Sequence, residues 1–381
     1  MLRKSALLLA CGATVSGAAI VVASATATRR SRRLLRTLPP VASVAEIVQQ
    51  DCAEDDSLDV SGVLWLEHIN LVVGDRPKAE AFYVDLLGFT PDPSPSFHVN
   101  LGRQQLHLSV GQPQVIAGIV GLAVPSLLTV RQRLPAATAA LSGTCFAVTD
   151  QGASLRITCP WGNIYALHSV TSSEPMPADE PPPEAPRLVR AQAGLDSGMG
   201  VSGLPGIRYI EFFVPTGTAP RIATFYEQVL GCRPRLAALT NDADVATTTN
   251  GRVSSGGGGQ DCTAAVVPVG PSVHLVFSEH ADVSADALRA MEGVHIAVYV
   301  SDWKECFERA QRLGLAWTNP RFVHLDTCDD FEQARGGRQF RFRYLVDVTD
   351  AGCGEKLLEL EHETRALRHF QFFKPVHYEP K

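Results

Sequence analysis

Histidines recur inside runs of strand-forming residues in this 381-residue sequence. His68 lies in EHINLVVGD, His274 in SVHLVFS and His295 in GVHIAVYVSD. Side chains alternate between the two faces of a β-strand, so His295 shares a face with Tyr299 and lies opposite a row of aliphatic residues. Imidazole nitrogens on such a face can bind a divalent metal ion, or they can simply make hydrogen bonds in the protein interior.

Carboxylates occupy the same kind of position in two other runs. Glu211 shares a strand face with Tyr209 in RYIEFFV, and Glu359 and Glu361 share a face in LLELEHE. Carboxylates at such positions can bind a metal or move a proton. Two other interpretations stay open: Glu211 as a hydrogen-bonded interior residue, and the row of glutamates, which includes Glu363, as the solvated face of an edge strand.

The elements that would position these side chains are repeated. WLEHINLVVGDRPKAEAFYVDLLG and GIRYIEFFVPTGTAPRIATFYEQVLG each predict a strand followed by a helix that ends at a glycine, Gly88 or Gly231. The strand–helix–strands order recurs from GIVGLAVPSLLTVRQRLPA and from GVHIAVYVSDWKECFERAQRLG. The sequence therefore predicts four β-α-β-β-(β) units, and since units of about 50 residues rarely fold alone, we expect them to pair.

Composition divides the chain further. Residues 171–202 are rich in proline, acids and small residues, which predicts a linker between one body at 55–170 and another at 203–370. The net charge of −6 and the dispersed basic residues argue against a nucleic-acid partner. The nine cysteines include no CxxC pair, which argues against a zinc knuckle or a disulfide framework.

Residues 1–45 form a separate segment without any acidic residue. Basic residues flank a small-residue apolar centre, so a transit peptide, a secretory signal and a membrane anchor through residues 5–28 all fit. The arginines after the centre favour import into an organelle, a mitochondrion or plastid, with a membrane anchor as the alternative.

Together the motifs resemble the vicinal oxygen chelate superfamily, which contains glyoxalases, bleomycin-resistance proteins and extradiol dioxygenases. The motifs that carry the resemblance are EHINLVV…AFYVDLLGF, GRQQLHLSV, CPWGNIYALH, TFYEQVLGC, VHLVFSE, GVHIAVYVSD and GEKLLELEHE. The resemblance implies an α+β fold of tandem glyoxalase-like domains. Each domain would contain two paired βαβββ units that form a curled, incompletely closed sheet around a cavity.

The resemblance also implies metal ligands on the first and last strands of each unit. In the second body a divalent ion (Fe, Mn, Zn, Ni or Co) would be bound by His274, His295, Glu359 and Glu211. Tyr209 stands where the first ligand is usual, and Glu211 lies one inward position beyond it. Glu211 or Glu361 would act as the catalytic proton carrier, and Tyr209 and Tyr299 would contact the substrate.

The first body has only part of this ligand set. His68 and His107 occupy the two ligand positions of its first unit, but the positions in its second unit fall on Ile119 or Val120 and on Ala166. Aliphatic side chains cannot bind a metal, so we expect the first body to be a degenerate copy.

The sequence thus predicts a metal-dependent lyase or isomerase, or with Fe(II) a dioxygenase, acting on a small oxygenated substrate. The alternative is a metal-free, non-catalytic small-molecule-binding protein of the same fold. A third hypothesis is a membrane-anchored or organelle scaffold whose cavities are filled by side chains.

Overall fold

The computed structural model describes residues 36–37, 44, 62–93, 96–170, 205–239, 248–249, 252–253, 262–270, 273–350, 352, 354–372 and 374. The predicted linker at 171–202 and most of the predicted N-terminal segment lie outside these residues, so both predictions stay untested. Within the part of the chain that the structure describes, no helix has the length and apolarity needed to cross a membrane.

The first two repeats follow the predicted order. After β1 (Arg36–Thr37), unit 1 contains β2 (Val63–Val73), helix α1 (Arg76–Ala79, continuing as a π-helical segment Glu80–Leu86), β3 (Thr90–Pro91), β4 (His98–Leu101) and β5 (Gln104–Val110). Unit 2 contains β6 (Gly118–Val124), α2 (Leu127–Ala140), β7 (Ala147–Asp150), β8 (Ser154–Thr158) and β9 (Ile164–Ser169).

The last two repeats are more elaborate. Unit 3 contains β10 (Gly206–Val214), α3 (Ala219–Leu230), β11 (Arg235–Leu239), β12 (Thr248–Thr249), β13 (Arg252–Val253), β14 (Cys262–Pro268) and β15 (His274–Glu279). After α4 (Ala285–Ala290), unit 4 contains β16 (His295–Val300), α5 (Trp303–Arg312), α6 (Phe331–Gly337), β17 (Gln339–Val346) and β18 (Lys356–Ala366).

A capping aspartate begins α1, and the predicted glycine ends α3. Asp75 caps α1 by accepting a hydrogen bond from the Lys78 backbone N–H at 2.9 Å. Gly231 ends α3 with a φ of 73°, a left-handed conformation that costs glycine little. The shared Phe-Tyr step of α3 is fully buried at Phe225 and Tyr226, so this helix face packs into the core.

Two mixed sheets contain almost all of the described strands. The 1–4 sheet, built by units 1 and 4, has the strand order β17-β18-β16-β2-β5-β4-β3. The 2–3 sheet, built by units 2 and 3, has the order β1-β11-β14-β15-β10-β6-β9-β8-β7. Both sheets belong to one compact body, residues 36–381. The Tyr226 hydroxyl on α3 lies 2.8 Å from His362 Nε2 on β18, and this contact ties unit 3 to unit 4.

The expectation that consecutive units share a sheet is wrong. β2 pairs with β16 and β6 pairs with β10, both antiparallel, so the outer units of the chain pair with each other and the inner units do likewise. One contact across the 1–4 sheet favours this choice. Glu67 of unit 1 contacts Arg365 of unit 4, so this buried carboxylate has a charged partner there. An uncompensated buried charge is costly, so units with matching faces pair.

We therefore expect the two fragments to stay associated when the chain is cut between units 2 and 3. A protease site inserted at 171–202 should yield two fragments that elute together from a sizing column without denaturant, because both sheets span the cut. Uncut chain carrying the same insertion is the control. Elution as two separate folded fragments would contradict the pairing.

Candidate metal centre

Two histidines and a glutamate converge on the 1–4 sheet. One ligand atom from each of His68, His295 and Glu363 lies within 4.8 Å of the other two, and all three residues are buried. The His295 Nε2 atom lies 3.9 Å from Glu363 Oε2. Ligand atoms around a bound transition-metal ion are about 3 to 4 Å apart, so a small inward movement would close the group around one ion.

Three neighbouring strands position this triad. β16 lies between β2 and β18, and its Ala297 pairs with His68 on one side and with Glu363 on the other. The methyl side chain of Ala297 leaves room for the larger groups that flank it. The register of β2 against β16 shifts at this point, so Glu67 is an extra residue in β2 and is buried next to His68.

The protonation states suit a cation. Burial lowers the pKa of His68, and burial together with the His68 imidazole and Arg341 holds the pKa of His295 well below its ordinary value. Burial tends to raise the pKa of Glu363, but Arg365 and Arg341 outweigh it and hold that pKa well below the usual range. Neutral imidazoles and an ionised carboxylate are the forms that bind a metal.

Among the residues that the structure describes, neither buried ring nitrogen of His68 makes a hydrogen bond of normal geometry. Nδ1 lies 3.4 Å from Glu67 Oε2, outside hydrogen-bond geometry. A buried polar atom without a partner is costly, and a metal ion bound by His68 would remove that cost.

Two arginines contact Glu363 but leave room for a further ligand. Arg365 Nε donates to Oε1 at 2.6 Å, and an Arg341 terminal nitrogen donates to Oε2 at 2.7 Å. A carboxylate offers about four lone pairs, so Oε2, the oxygen nearest to His295, keeps one that can bind an ion.

Glu361 lies beside the triad, opposite His295 in the register of β16 and β18. Asn319 donates to both of its oxygens at 2.9 and 3.0 Å, and Arg341 donates to Oε1 at 2.8 Å. Burial raises the pKa of Glu361 above its ordinary value, because Arg341 and Asn319 offset the desolvation only in part. A carboxyl group with a raised pKa can accept and return a proton.

The segment between α5 and α6 covers this side of the centre. Its Asp326 accepts from Arg341 Nε at 2.7 Å, and its Phe322 ring lies 4.6 Å from the Arg341 guanidinium carbon. The same ring meets the His295 ring edge-on, with 6.0 Å between the centroids. The segment between α5 and α6 therefore contacts the centre through Asp326 and Phe322.

A column of three imidazoles continues from the triad into unit 1. His107 stacks on His68 with 3.7 Å between the ring centroids, and His98 stacks on His107 at 3.6 Å. His107 Nε2 lies 3.1 Å from Gln105 Oε1, to which it donates. Burial, with a smaller contribution from the His68 imidazole, lowers the pKa of His98 to about 4. Within the described residues His107 is outside the triad but next to it.

The charges around the triad also favour a cation. The buried groups comprise two guanidiniums, Arg341 and Arg365, and four carboxyl groups, on Glu67, Asp326, Glu361 and Glu363. Carboxyl groups thus outnumber guanidiniums by two, and a divalent ion would offset that excess. The donor set, the weakly satisfied His68 nitrogens and this excess together fit a divalent metal.

The structure places some of the residues predicted from sequence at or near the triad and the others away from it. His295 lies in the triad and Glu361 lies next to it, whereas Glu359 accepts from Arg343 Nε at 2.7 Å and is not part of the triad. Tyr299 lies close by, and its hydroxyl donates to Glu67 Oε1 at 3.2 Å. β18 is an interior strand between β17 and β16, so the edge-strand interpretation of its glutamates is wrong.

The other predicted residues lie in the 2–3 sheet. His274 is the register partner of Tyr209 there, and Glu211 lies two residues further along β10. The predicted convergence of His274 and Glu211 with His295 is therefore wrong, because the ligand positions were assigned on the assumption that units 3 and 4 share a sheet. Ser278 Oγ donates to Glu211 Oε1 at 2.6 Å.

Apolar side chains fill the corresponding face of the 2–3 sheet. The Tyr209 ring covers Gly121, where an added Cβ would lie within 2.1 Å of that ring. A single buried cluster includes Val44, Ile119, Tyr209, Ala237, Ala264, Val266 and Val276. Over the described residues, the one group of three or more candidate ligands is the triad of the 1–4 sheet. His68 of the first body thus belongs to a candidate ligand group with two residues of unit 4. The predicted degeneracy of the first body stays a prediction.

Sequence reasoning missed the role of Glu67, Arg341 and Arg365, and it did not select Glu363 among the glutamates of β18. One signal was present. His68 and His107 lacked partners in unit 2, and Tyr209 stood at the usual first-ligand position of unit 3. Pairing units 1 and 4 unites residues from the incomplete sets of the two bodies.

Comparisons with known proteins add little at the level of sequence. No protein-family model matches the chain, and a search of curated proteins returns no match. Among solved structures, glyoxalase I from Zea mays matches with 12% identity and a TM-score of 0.42, covering 79% of this chain and 92% of that protein. A putative dioxygenase from Bacillus subtilis matches with 11% identity and a TM-score of 0.39, covering 80% and 86%.

A variant of 4-hydroxymandelate synthase from Streptomyces coelicolor also matches, with 15% identity, a TM-score of 0.29 and coverage of 80% and 93%. The strand order and the pairing of the units describe the architecture directly. Four strand–helix–strands units, paired into two open mixed sheets, give this chain an α+β architecture that resembles the tandem glyoxalase-like fold expected from the sequence motifs.

Proposed function

We propose that the chain is a divalent-metal-dependent enzyme that acts on a small substrate with two adjacent oxygen atoms. The convergence of His68, His295 and Glu363 in one buried group carries this proposal. A divalent ion held there would act as a Lewis acid on the substrate oxygens. The metal-free binder is the alternative, since Arg341 and Arg365 already contact Glu363.

The chemistry that the surrounding residues support best is proton transfer next to a carbonyl group. Glu361 would remove a proton from the substrate carbon, and the electron pair of that C–H bond would move to the carbonyl oxygen. Return of the proton to the neighbouring carbon, with transfer of the hydroxyl proton to the oxyanion, would complete an isomerisation. Loss of a leaving group would instead complete a lyase reaction. Asn319 and Arg341 would hold the Glu361 carboxylate in place.

Hydroxyacetone in D₂O tests this proposal, because it carries two adjacent oxygens and exchangeable carbon-bound protons. We expect metal-loaded protein to speed the exchange, as followed by proton NMR, and Glu361→Gln to slow it about 100-fold or more while metal binding persists. Catechol with Fe(II)-loaded protein, followed by oxygen uptake, tests the dioxygenase alternative. Metal binding without either reaction would contradict the enzymatic proposal. Absence of metal binding would support the metal-free binder.

A further inference from the structure

A groove on unit 4 lies apart from the residues of the triad. It has a volume of about 490 Å³ and lies where the end of α5 meets β17 and the start of β18. Its lining includes Arg312, Leu313, Leu315, Tyr344 and Lys356, and an adjoining cavity of about 180 Å³ adds Trp317 and Arg343. Small-molecule sites commonly have volumes of about 300 to 1,000 Å³, so the groove is large enough for a metabolite-sized ligand.

Aromatic rings hold the cations of this groove in place. Lys356 Nζ lies 3.8 Å from the centroid of the Tyr344 ring. The Arg343 guanidinium carbon lies 5.3 Å from the same ring and 5.8 Å from that of Trp317. Cations in this relation to rings are attracted by the π electrons, which reduces the side-chain freedom that binding would otherwise remove.

The positive charge of the groove is only partly compensated. Arg343 forms an ion pair with Glu359, in which Arg343 Nη2 lies 2.7 Å from Glu359 Oε1. Among the described residues, Arg312 and Lys356 make no ion pair. The C-terminal end of α5 attracts the Arg312 charge weakly. Two exposed cations therefore face one groove whose walls also contain apolar groups, and Leu313 alone is 38% exposed.

We propose that this groove binds a small aromatic anion, an aryl phosphate or aryl carboxylate. The anionic group would contact Lys356 and Arg312, and the ring would lie against Leu313, Leu315 and the edge of Tyr344. Neither half of such a ligand would bind well alone, because an exposed charge pair and a small apolar contact each contribute little. This inference is independent of the proposed metal centre.

Phenyl phosphate is the probe, with phenol and inorganic phosphate as its two halves. Isothermal titration of the full-length protein in the presence of a chelator should show saturable binding of phenyl phosphate at least tenfold tighter than of either half. Lys356→Gln and Arg312→Gln should each weaken binding about fivefold, which corresponds to one exposed charge interaction. Trp317→Phe should remove the tryptophan fluorescence change that accompanies binding.

Lys304→Gln is the matched control. Lys304 also lies over an aromatic ring, that of Phe331, at 5.6 Å, but it has an acidic partner in Glu308 and is not in the groove. It should bind the probe like the wild type. Absence of saturable binding, equal binding of phenol and phenyl phosphate, or equal losses in Lys304→Gln and Lys356→Gln would overturn the proposal. None of these outcomes bears on the metal centre.

Discussion

Replacing His295 with alanine should abolish the thermal stabilisation that a divalent ion gives to this protein, and replacing His274 should not. A ligand that binds only the folded state stabilises it by about 2.7 kcal/mol when present at 100 times its Kd. For a chain of this size that corresponds to a rise in Tm of about 3 to 4 °C. Without His295 the triad loses one of its two imidazoles, so the affinity for the ion should fall sharply.

The two variants must be compared by the rise in Tm that the metal ion causes in each, rather than by Tm itself. Both histidines are buried strand residues, 2% exposed for His274 and 4% for His295, so either alanine variant should lower the stability of the metal-free protein. Scanning calorimetry with Co²⁺, Ni²⁺, Zn²⁺ or Mn²⁺ and with chelator measures this increment in Tm for each variant. If His274→Ala lost the increment while His295→Ala kept it, the ion would be bound in the 2–3 sheet instead.

Glu211→Gln should stabilise the protein at pH 8 by about 3 to 4 kcal/mol. Burial raises the pKa of Glu211 to about 7, while the Ser278 hydroxyl and Arg156 offset only part of that effect. In the unfolded chain this carboxyl group titrates at about 4.3, so the folded state binds its proton more tightly than the unfolded state. Each unit of pKa difference corresponds to about 1.4 kcal/mol.

The direction of the pH dependence follows from that difference. The Glu211 carboxyl group favours folding most below the unfolded pKa, loses that contribution as the pH rises from about 4.5 to 7, and adds no further change above. Glutamine stays neutral, so the advantage of Glu211→Gln over wild type should shrink towards zero near pH 4.5. Ser278→Ala should act in the opposite sense and make the stability more pH-dependent, because it removes the hydroxyl donor.

Denaturant titrations at pH 5, 6, 7 and 8 measure these differences directly. Glu80→Gln is a suitable control, because the Glu80 side chain is 45% exposed in an ion pair with Arg76 and should change stability little. A Glu211→Gln advantage that is the same at pH 5 and pH 8 would show that packing, not charge, causes it.

Local features of the fold follow from the sequence. Strand alternation correctly put His295 and Glu361 on one face, and the glycine after the Phe-Tyr helix correctly predicted the end of α3. These features depend on neighbours within a few residues, and such short-range rules are readable from one sequence.

Short-range rules could not predict which unit pairs with which. Every unit begins with a strand that can pair antiparallel with another first strand, so local rules do not choose among the combinations. The choice depends on whole faces, such as Glu67 meeting Arg365 in one sheet and Tyr209 covering Gly121 in the other. The burial of Glu67 was also hidden, because its extra position in β2 breaks the alternation that the sequence implies.

The nested pairing of the units, first with fourth and second with third, affects how the chain folds during synthesis on the ribosome. Glu67 and Arg365 meet across 298 residues, so the first unit emerges long before the strands that complete its sheet. Contacts of such long range form slowly, and until then the edge of β2 has no neighbour on one side. A prematurely terminated chain that lacks unit 4 would leave His68 and Glu67 without their partners, so incomplete translation products should be recognisable as misfolded rather than partly active.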